Sequence, residues 1–296
     1  NSLIEEEGKH DFEAKVEYLN SLVELNKSNE KYSELSGLYL KIAKTYEDLA
    51  ESNGNLELFN KSILNYNNYL GYLDSENGQV EIANANKNIG LLTWKKYKLS
   101  NNKEELSDSL EKLIDAREIF TQINNDSKVA ETEKDLINIY LDCAELSEEN
   151  KELNETVNYY ENALKLLSVE NDRSKFNELK IKNAKIYIKI AKNSDDYNIY
   201  FKAIDSLNSV KDENDDINYI VSRNLAQIYE DLYYLRENDD HLESSIKNYN
   251  QSLKYLNSNE IEKIKEINLK IEELNKIKTP SIPDDVQDEK FETNLI

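Results

Sequence analysis

The sequence contains one cysteine, two histidines, two prolines, six glycines and no methionine in 296 residues. A lone cysteine, Cys143, excludes an intrachain disulfide and a cysteine-based zinc site. Neither histidine, His10 or His241, has a second histidine or a cysteine at helical spacing, so no metal is expected. Few prolines and glycines mean few helix breakers, and with abundant Glu, Lys, Leu and Ala this favours helices. Surplus positive charge is also missing, because the formal net charge is −22. Phosphate backbones are held by clustered Lys and Arg, so a nucleic-acid partner is not expected, nor docking on an anionic membrane. No apolar run approaches the roughly 20 residues that cross a bilayer, which argues against membrane insertion. The chain begins at Asn1 without any methionine, so it reads as a fragment or processed product. The expected location is cytoplasmic.

Signatures of catalysis are absent too. There is neither a glycine-rich phosphate loop nor a nucleophile elbow. The acidic stretch Asp212–Asp216 lacks the central glycine and the distal bidentate Glu of a calcium loop. Paired carboxylates occur everywhere in so acidic a chain and single out nothing. These features predict a non-enzymatic protein without a cofactor.

What the sequence does contain is a repeat. Tyr46, Thr93, Tyr140, Tyr187 and Tyr229 serve as anchors, spaced by 47, 47, 47 and 42 residues. Four residues before them stand Ile42, Ile89, Leu136, Asn183 and Leu225, and three before stand Ala43, Gly90, Ile137, Ala184 and Ala226. This spacing puts an apolar, a small and an aromatic residue on one helical face. Sixteen residues after each anchor come Ser62, Ser109, Thr156, Ala203 and Ser245, then Ile63, Leu110, Val157, Ile204 and Ile246. Twenty residues after come Tyr66, Leu113, Tyr160, Leu207 and Tyr249, completing a second buried face. Polar elbows rich in Asn, Asp and Ser separate the two patterns. Each unit therefore reads as helix A, elbow, helix B. One pair cannot bury its own apolar stripe, so successive pairs must stack.

The expected fold is all-α, a right-handed solenoid of stacked antiparallel helix pairs closed by a C-terminal capping helix. One helical-repeat domain spans residues 1–278. It comprises a half repeat over 1–27 with an apolar face at Val16, Leu19 and Val23, five pairs over about 33–257, and the capping helix over 260–278. Longer connectors, such as Asp74–Gln79 and Lys211–Asp216, join the pairs. Residues 279–296 hold both prolines and an acidic run, and read as a flexible tail.

At the Ile42-Ala43…Tyr46 and Leu225-Ala226…Tyr229 triplets, and at Thr156…Tyr160…Ala163 and Ser245…Tyr249…Ser252, the sequence resembles the tetratricopeptide repeat (TPR) family. The resemblance runs over about Ser36 to Asn257, in a long variant with 47-residue units against the usual 34 or so. The family's closing proline is missing, and its early tryptophan position holds an aromatic only once, at Tyr39. A looser comparison is with the attachment proteins of the vesicle-fusion ATPase, which are acidic stacks of helical pairs with a functional leucine near the C-terminus, here matched by Leu295.

In the TPR family helix A lines a concave groove, and the resemblance implies that this groove binds a peptide or helix of a partner protein. The groove positions here include Lys44, Lys87, Leu91, Trp94, Lys134, Asn138, Leu141, Ile181, Lys185, Ile188, Lys189, Arg223 and Gln227, with Lys182 beside them. Seven cations face five anions at these positions, on a chain whose carboxylates outnumber its Lys and Arg 59 to 37. Lys134 and Asn138 match a terminal-carboxylate clamp, but Lys182 and Ile220 break it, leaving a looser site for an acidic or amphipathic peptide. Against this, the lysines could pair with carboxylates on adjacent helices, and Trp94 could lie in the core instead of the groove. The alternative function is a structural or adaptor domain acting through its acidic convex face or its tail. The sequence fixes no oligomeric state.

Overall fold

The computed structural model describes residues 2–73, 78–194 and 196–278, with side chains from Phe12 onward. The expected tail over 279–296, with Leu295, lies outside the described residues, as does most of the Asp74–Gln79 connector. The described residues form helices and connecting turns, with no strand among them. The helices are α1 (Ser2–Ser28), α2 (Tyr32–Asn53), α3 (Leu56–Gly71), α4 (Gln79–Ser100), α5 (Lys103–Gln122) and α6 (Asp126–Glu149). They continue as α7 (Leu153–Leu166), α8 (Arg173–Ser194), α9 (Tyr197–Asn208), α10 (Asp215–Arg236), α11 (Asp239–Leu253) and α12 (Ile261–Lys278). The fold is an all-α helical repeat. It divides into two compact units, Asn1–Ile139 and Tyr140–Ile296, with the boundary inside α6.

The elbows form for a local reason. Helices α2, α4 and α10 each end on a left-handed residue, Gly54, Asn101 and Glu237, whose amide bonds back to a carbonyl of the last turn. The next residue is an asparagine in each case. Asn55, Asn102 and Asn238 accept from the amides of Glu57, Glu104 and Asp240 and so start α3, α5 and α11. Asp196 does the same for α9. A left-handed stop followed at once by an Asx cap satisfies both orphaned helix ends in two residues and reverses the chain. The α6–α7 elbow departs from this: Lys151 carries the positive φ, but Glu152 makes no side-chain cap.

The repeated small residues fix how closely the pair packs. Ser62, Ser109 and Ser245 are fully buried, and each hydroxyl donates to the carbonyl of the small residue on its partner helix. The bonds are Ser62 to Ala43 (2.9 Å), Ser109 to Gly90 (2.7 Å) and Ser245 to Ala226 (2.9 Å), always 19 residues apart. The third pair has Ile137 in the small slot, and there Thr156 turns back to Glu152 of its own chain turn. The fourth has Ala203, which has no hydroxyl. At Gly90 a Cβ would meet Leu113 Cγ at 2.7 Å and the Ser109 carbonyl at 3.0 Å, so α4 and α5 approach at backbone distance.

The apolar slots fill the cores. Ile42, Ile89 and Leu136 are buried in the first unit, as are Tyr66 and Leu113 opposite. In the second unit Tyr160, Leu207, Leu225 and Tyr249 take the same places. Val16, Leu19 and Val23 of α1 are buried, the latter two in a cluster with Leu35, Tyr39 and Ile42 of α2. At the other end Ile267 and Leu274 of α12 pack with Ala226, Leu242 and Tyr249. Thus α12 covers the last pair in the manner of a following helix A.

Candidate partner-binding faces

Ion pairs run from each helix A to the next one in its unit. In the first unit Glu51 of α2 meets Lys95 of α4, and Lys87 of α4 meets Glu131 (2.5 Å) and Asp135 (3.0 Å) of α6. In the second, Glu148 of α6 meets Lys189 of α8 (2.6 Å), and Lys192 of α8 meets Asp231 of α10 (3.0 Å). Arg223 and Glu230 of α10 reach Glu266 (2.5 Å) and Lys270 (3.0 Å) of α12. The A helices are therefore laced edge to edge by their own charges.

These pairs sort the predicted groove residues. Lys87 is buried and spends its charge on Glu131 and Asp135. The Glu131 carboxyl is held at about 2, first by Lys128 and then by Lys87. Lys189 and Arg223 are likewise engaged with the neighbouring helix, and Lys182 pairs with Glu178 of its own helix at 2.8 Å. Gln227 donates to Asp231, and its Oε1 lies 3.4 Å from the Tyr249 hydroxyl. Trp94 is 7% exposed, stacks on Tyr97 at 5.3 Å and carries the Lys98 ammonium over its ring. Ile181 is buried as well. Leu91, Leu141 and Ile188 are half-buried, and Asn138 is exposed. Lys44, Lys134 and Lys185 are exposed, and among the described residues no carboxylate lies within ion-pair distance of any of them. Lys44 and Lys134 lie in the first unit, and Lys182, Lys185, Ile188 and Lys189 in the second.

Acid–phenol pairs, the first part-buried and the second buried, brace the first and fifth hairpins. Tyr66 donates to Glu47 at 2.6 Å, and Tyr249 to Glu230 at 2.8 Å, each across 19 residues. Burial pushes the Glu47 carboxyl up, and burial followed by the facing carboxylate pushes both phenols up. Such bonds consume the acidic residues that the sequence placed on the face beside the anchor. His241 is buried too: its Nε2 lies 2.8 Å from the Tyr197 hydroxyl, and its ring lies beside Tyr229. It belongs to an aromatic cluster. No group of three or more His, Cys, Asp or Glu among the described residues is arranged to hold a metal. None of the described helices is long and apolar enough to cross a membrane.

Several open clefts interrupt the packed surface of the described residues, and two of them concern the helix pairs most directly. One of about 1000 Å³ opens between α1, α2 and α3, lined by Phe12, Val16, Tyr46 and Leu58 with Lys61 at its rim. The other, about 540 Å³, lies over α8 between α7 and α9. Sequence reasoning found neither. Its one signal for the second was Asn183 in a slot that is aliphatic in every other repeat.

No family model and no curated protein matches the sequence. Among solved structures, the chain is similar to the C-terminal part of a TPR repeat-containing protein from Cytophaga hutchinsonii. The identity is 11%, over 84% of this chain and 99% of that one, with a TM-score of 0.31. It is also similar to a de novo designed helical repeat protein, at 14% identity over 84% and 96% of the two chains and a TM-score of 0.19. Likeness at this distance carries nothing about partners.

Proposed function

We propose that the protein is a non-enzymatic, long-repeat TPR-like scaffold, with residues 1–278 as one repeat domain, that binds a peptide or helix of a partner protein along its A-helix faces. The observation that supports this is the state of the cations there. Lys87, Lys95 and Lys189 on these faces are neutralised by a neighbouring helix, whereas Lys44, Lys134 and Lys185 stay exposed and, among the described residues, unpaired on a chain with a large carboxylate surplus. Two of them have a half-buried apolar residue close by on the same helix: Leu40 beside Lys44 and Ile188 beside Lys185. Charge next to partly covered apolar surface suits an acidic, amphipathic segment.

The test is charge reversal. Lys134→Glu with Lys185→Glu should abolish capture of a partner from the native host while leaving helicity unchanged. Deletion of residues 279–296 should leave capture intact. Undiminished capture by the doubly reversed variant, together with loss on tail deletion, would instead favour an adaptor working through its tail.

A further inference from the structure

The cleft over α8 is built from an exception to the repeat. Ile42, Ile89, Leu136 and Leu225 occupy the slot four residues before the anchor in the other pairs, and Asn183 occupies it here. Asn183 is 1% exposed, it lines the cleft, and its Oδ1 has no hydrogen-bond partner among the described residues. An orphaned buried acceptor destabilises a fold, so its presence in a core slot points to something that completes it.

The surrounding groups indicate what that is. Lys165, Lys180 and Lys202 stand around the opening, and among the described residues none has a carboxylate within ion-pair distance. Lys180 lies over the Phe176 ring at 5.4 Å, and Lys202 over the Tyr187 ring at 5.7 Å. Of the two carboxylates in the lining, Glu161 already accepts from the Tyr187 hydroxyl. A smaller cleft, about 220 Å³, continues past Glu161, Tyr187 and Lys202 along α7 and α9, so the opening is elongated.

We propose that this groove binds an acidic, extended segment of a partner protein. Its carboxylates meet Lys165, Lys180 and Lys202, and Asn183, whose Oδ1 is covered when no partner is bound, turns toward the cleft to accept from one of its backbone N–H groups. Excess positive charge with aromatic walls selects the acidic side chains, and the amide reads the extended backbone. This site lies on the α7 and α9 side of α8 and does not depend on Lys44, Lys134 or Lys185.

The test uses the whole chain and calorimetric titration, at low salt, of an acetylated, amidated peptide alternating Glu and Ala. The same peptide with Gln for Glu, and inorganic phosphate, are the controls. The Glu peptide should bind, and the Gln peptide at least about tenfold more weakly. Lys180→Glu with Lys202→Glu should weaken the Glu peptide by about tenfold or more. Asn183→Leu, which restores the residue type of the other repeats, should weaken it about fivefold and raise Tm. Lys134→Glu with Lys185→Glu should leave it unchanged. The proposal is overturned if the Glu peptide does not bind, if phosphate binds in its place, or if Asn183→Leu raises Tm with affinity intact. It is equally overturned if the Lys134/Lys185 variant is the one that loses the peptide, which would assign binding to the A-helix face.

Discussion

Replacing Gly90 by alanine sets two effects of opposite sign against each other. In a helix interior Ala is better than Gly by roughly 1 kcal/mol, so intrinsic propensity predicts a gain. The structure predicts a loss. The new Cβ would sit 2.7 Å from Leu113 Cγ, 3.0 Å from the Ser109 carbonyl and 3.2 Å from the Leu113 amide nitrogen. Two of these three atoms are backbone, so α5 as a whole must move. Overpacking of this kind costs about 1–3 kcal/mol. The movement also stretches the buried bond from Ser109 to Gly90, worth about 1 kcal/mol. The net expectation is destabilisation by about 1–3 kcal/mol. Gly37, in α2, supplies the control: it is exposed, and nothing lies within 4 Å of a Cβ built there. Gly37→Ala should therefore stabilise by about 1 kcal/mol, since propensity acts alone. Urea denaturation followed by far-ultraviolet circular dichroism measures both. If Gly90→Ala stabilises as much as Gly37→Ala, close backbone approach at the small slot is not what spaces the pair.

Four further outcomes follow from other contacts. Asn102→Ala and Asn238→Ala should each lower stability by about 1 kcal/mol, whereas Glu237→Gly should raise it by up to about 1 kcal/mol by relieving a left-handed non-glycine residue, all read by urea denaturation. The Glu131 carboxyl is depressed to about 2 from an ordinary 4.5, so its contribution is present above pH 4.5 and lost as pH falls toward 2. Lys87→Met should flatten that part of a stability–pH curve, and an unchanged slope would show that Lys87 does not hold Glu131. Cys143 is buried, with its thiol pushed up to about 12, so native protein should resist thiol reagents at mildly alkaline pH until it unfolds. Prompt labelling of folded protein would contradict that burial.

The helix pairs were legible because their cause is periodic. Small, apolar and aromatic residues recur at intervals of three and four, and the same residues turn out to be buried at Ala43, Ile42 and Tyr66 or at Ala226, Leu225 and Tyr249. The Asn-rich elbows were also readable, since Asn55, Asn102 and Asn238 cap helices through chemistry confined to two or three residues. Side-chain direction at the edge of a face was not. A shift of one position, about 100° around a helix, decides whether Trp94 or Lys87 lies in water, and packing against the next helix sets that shift. Nor can a pattern within one repeat show a bond between repeats. Lys189 reads as a free groove cation until Glu148 is placed beside it, 41 residues back. Asn183 was visible as an odd residue in an aliphatic column, but only the lack of a partner for its Oδ1 among the described residues gives that oddness meaning.

Site-directed photocrosslinking on the partner complex tests the central functional claim most directly. A photoreactive residue at Lys134 and at Lys185 should each yield a crosslink to the captured partner, while one at the exposed B-helix positions Leu64 and Asp108 should yield none. Crosslinks from Leu64 or Asp108, with silence from both lysine positions, would contradict partner binding along the A-helix faces.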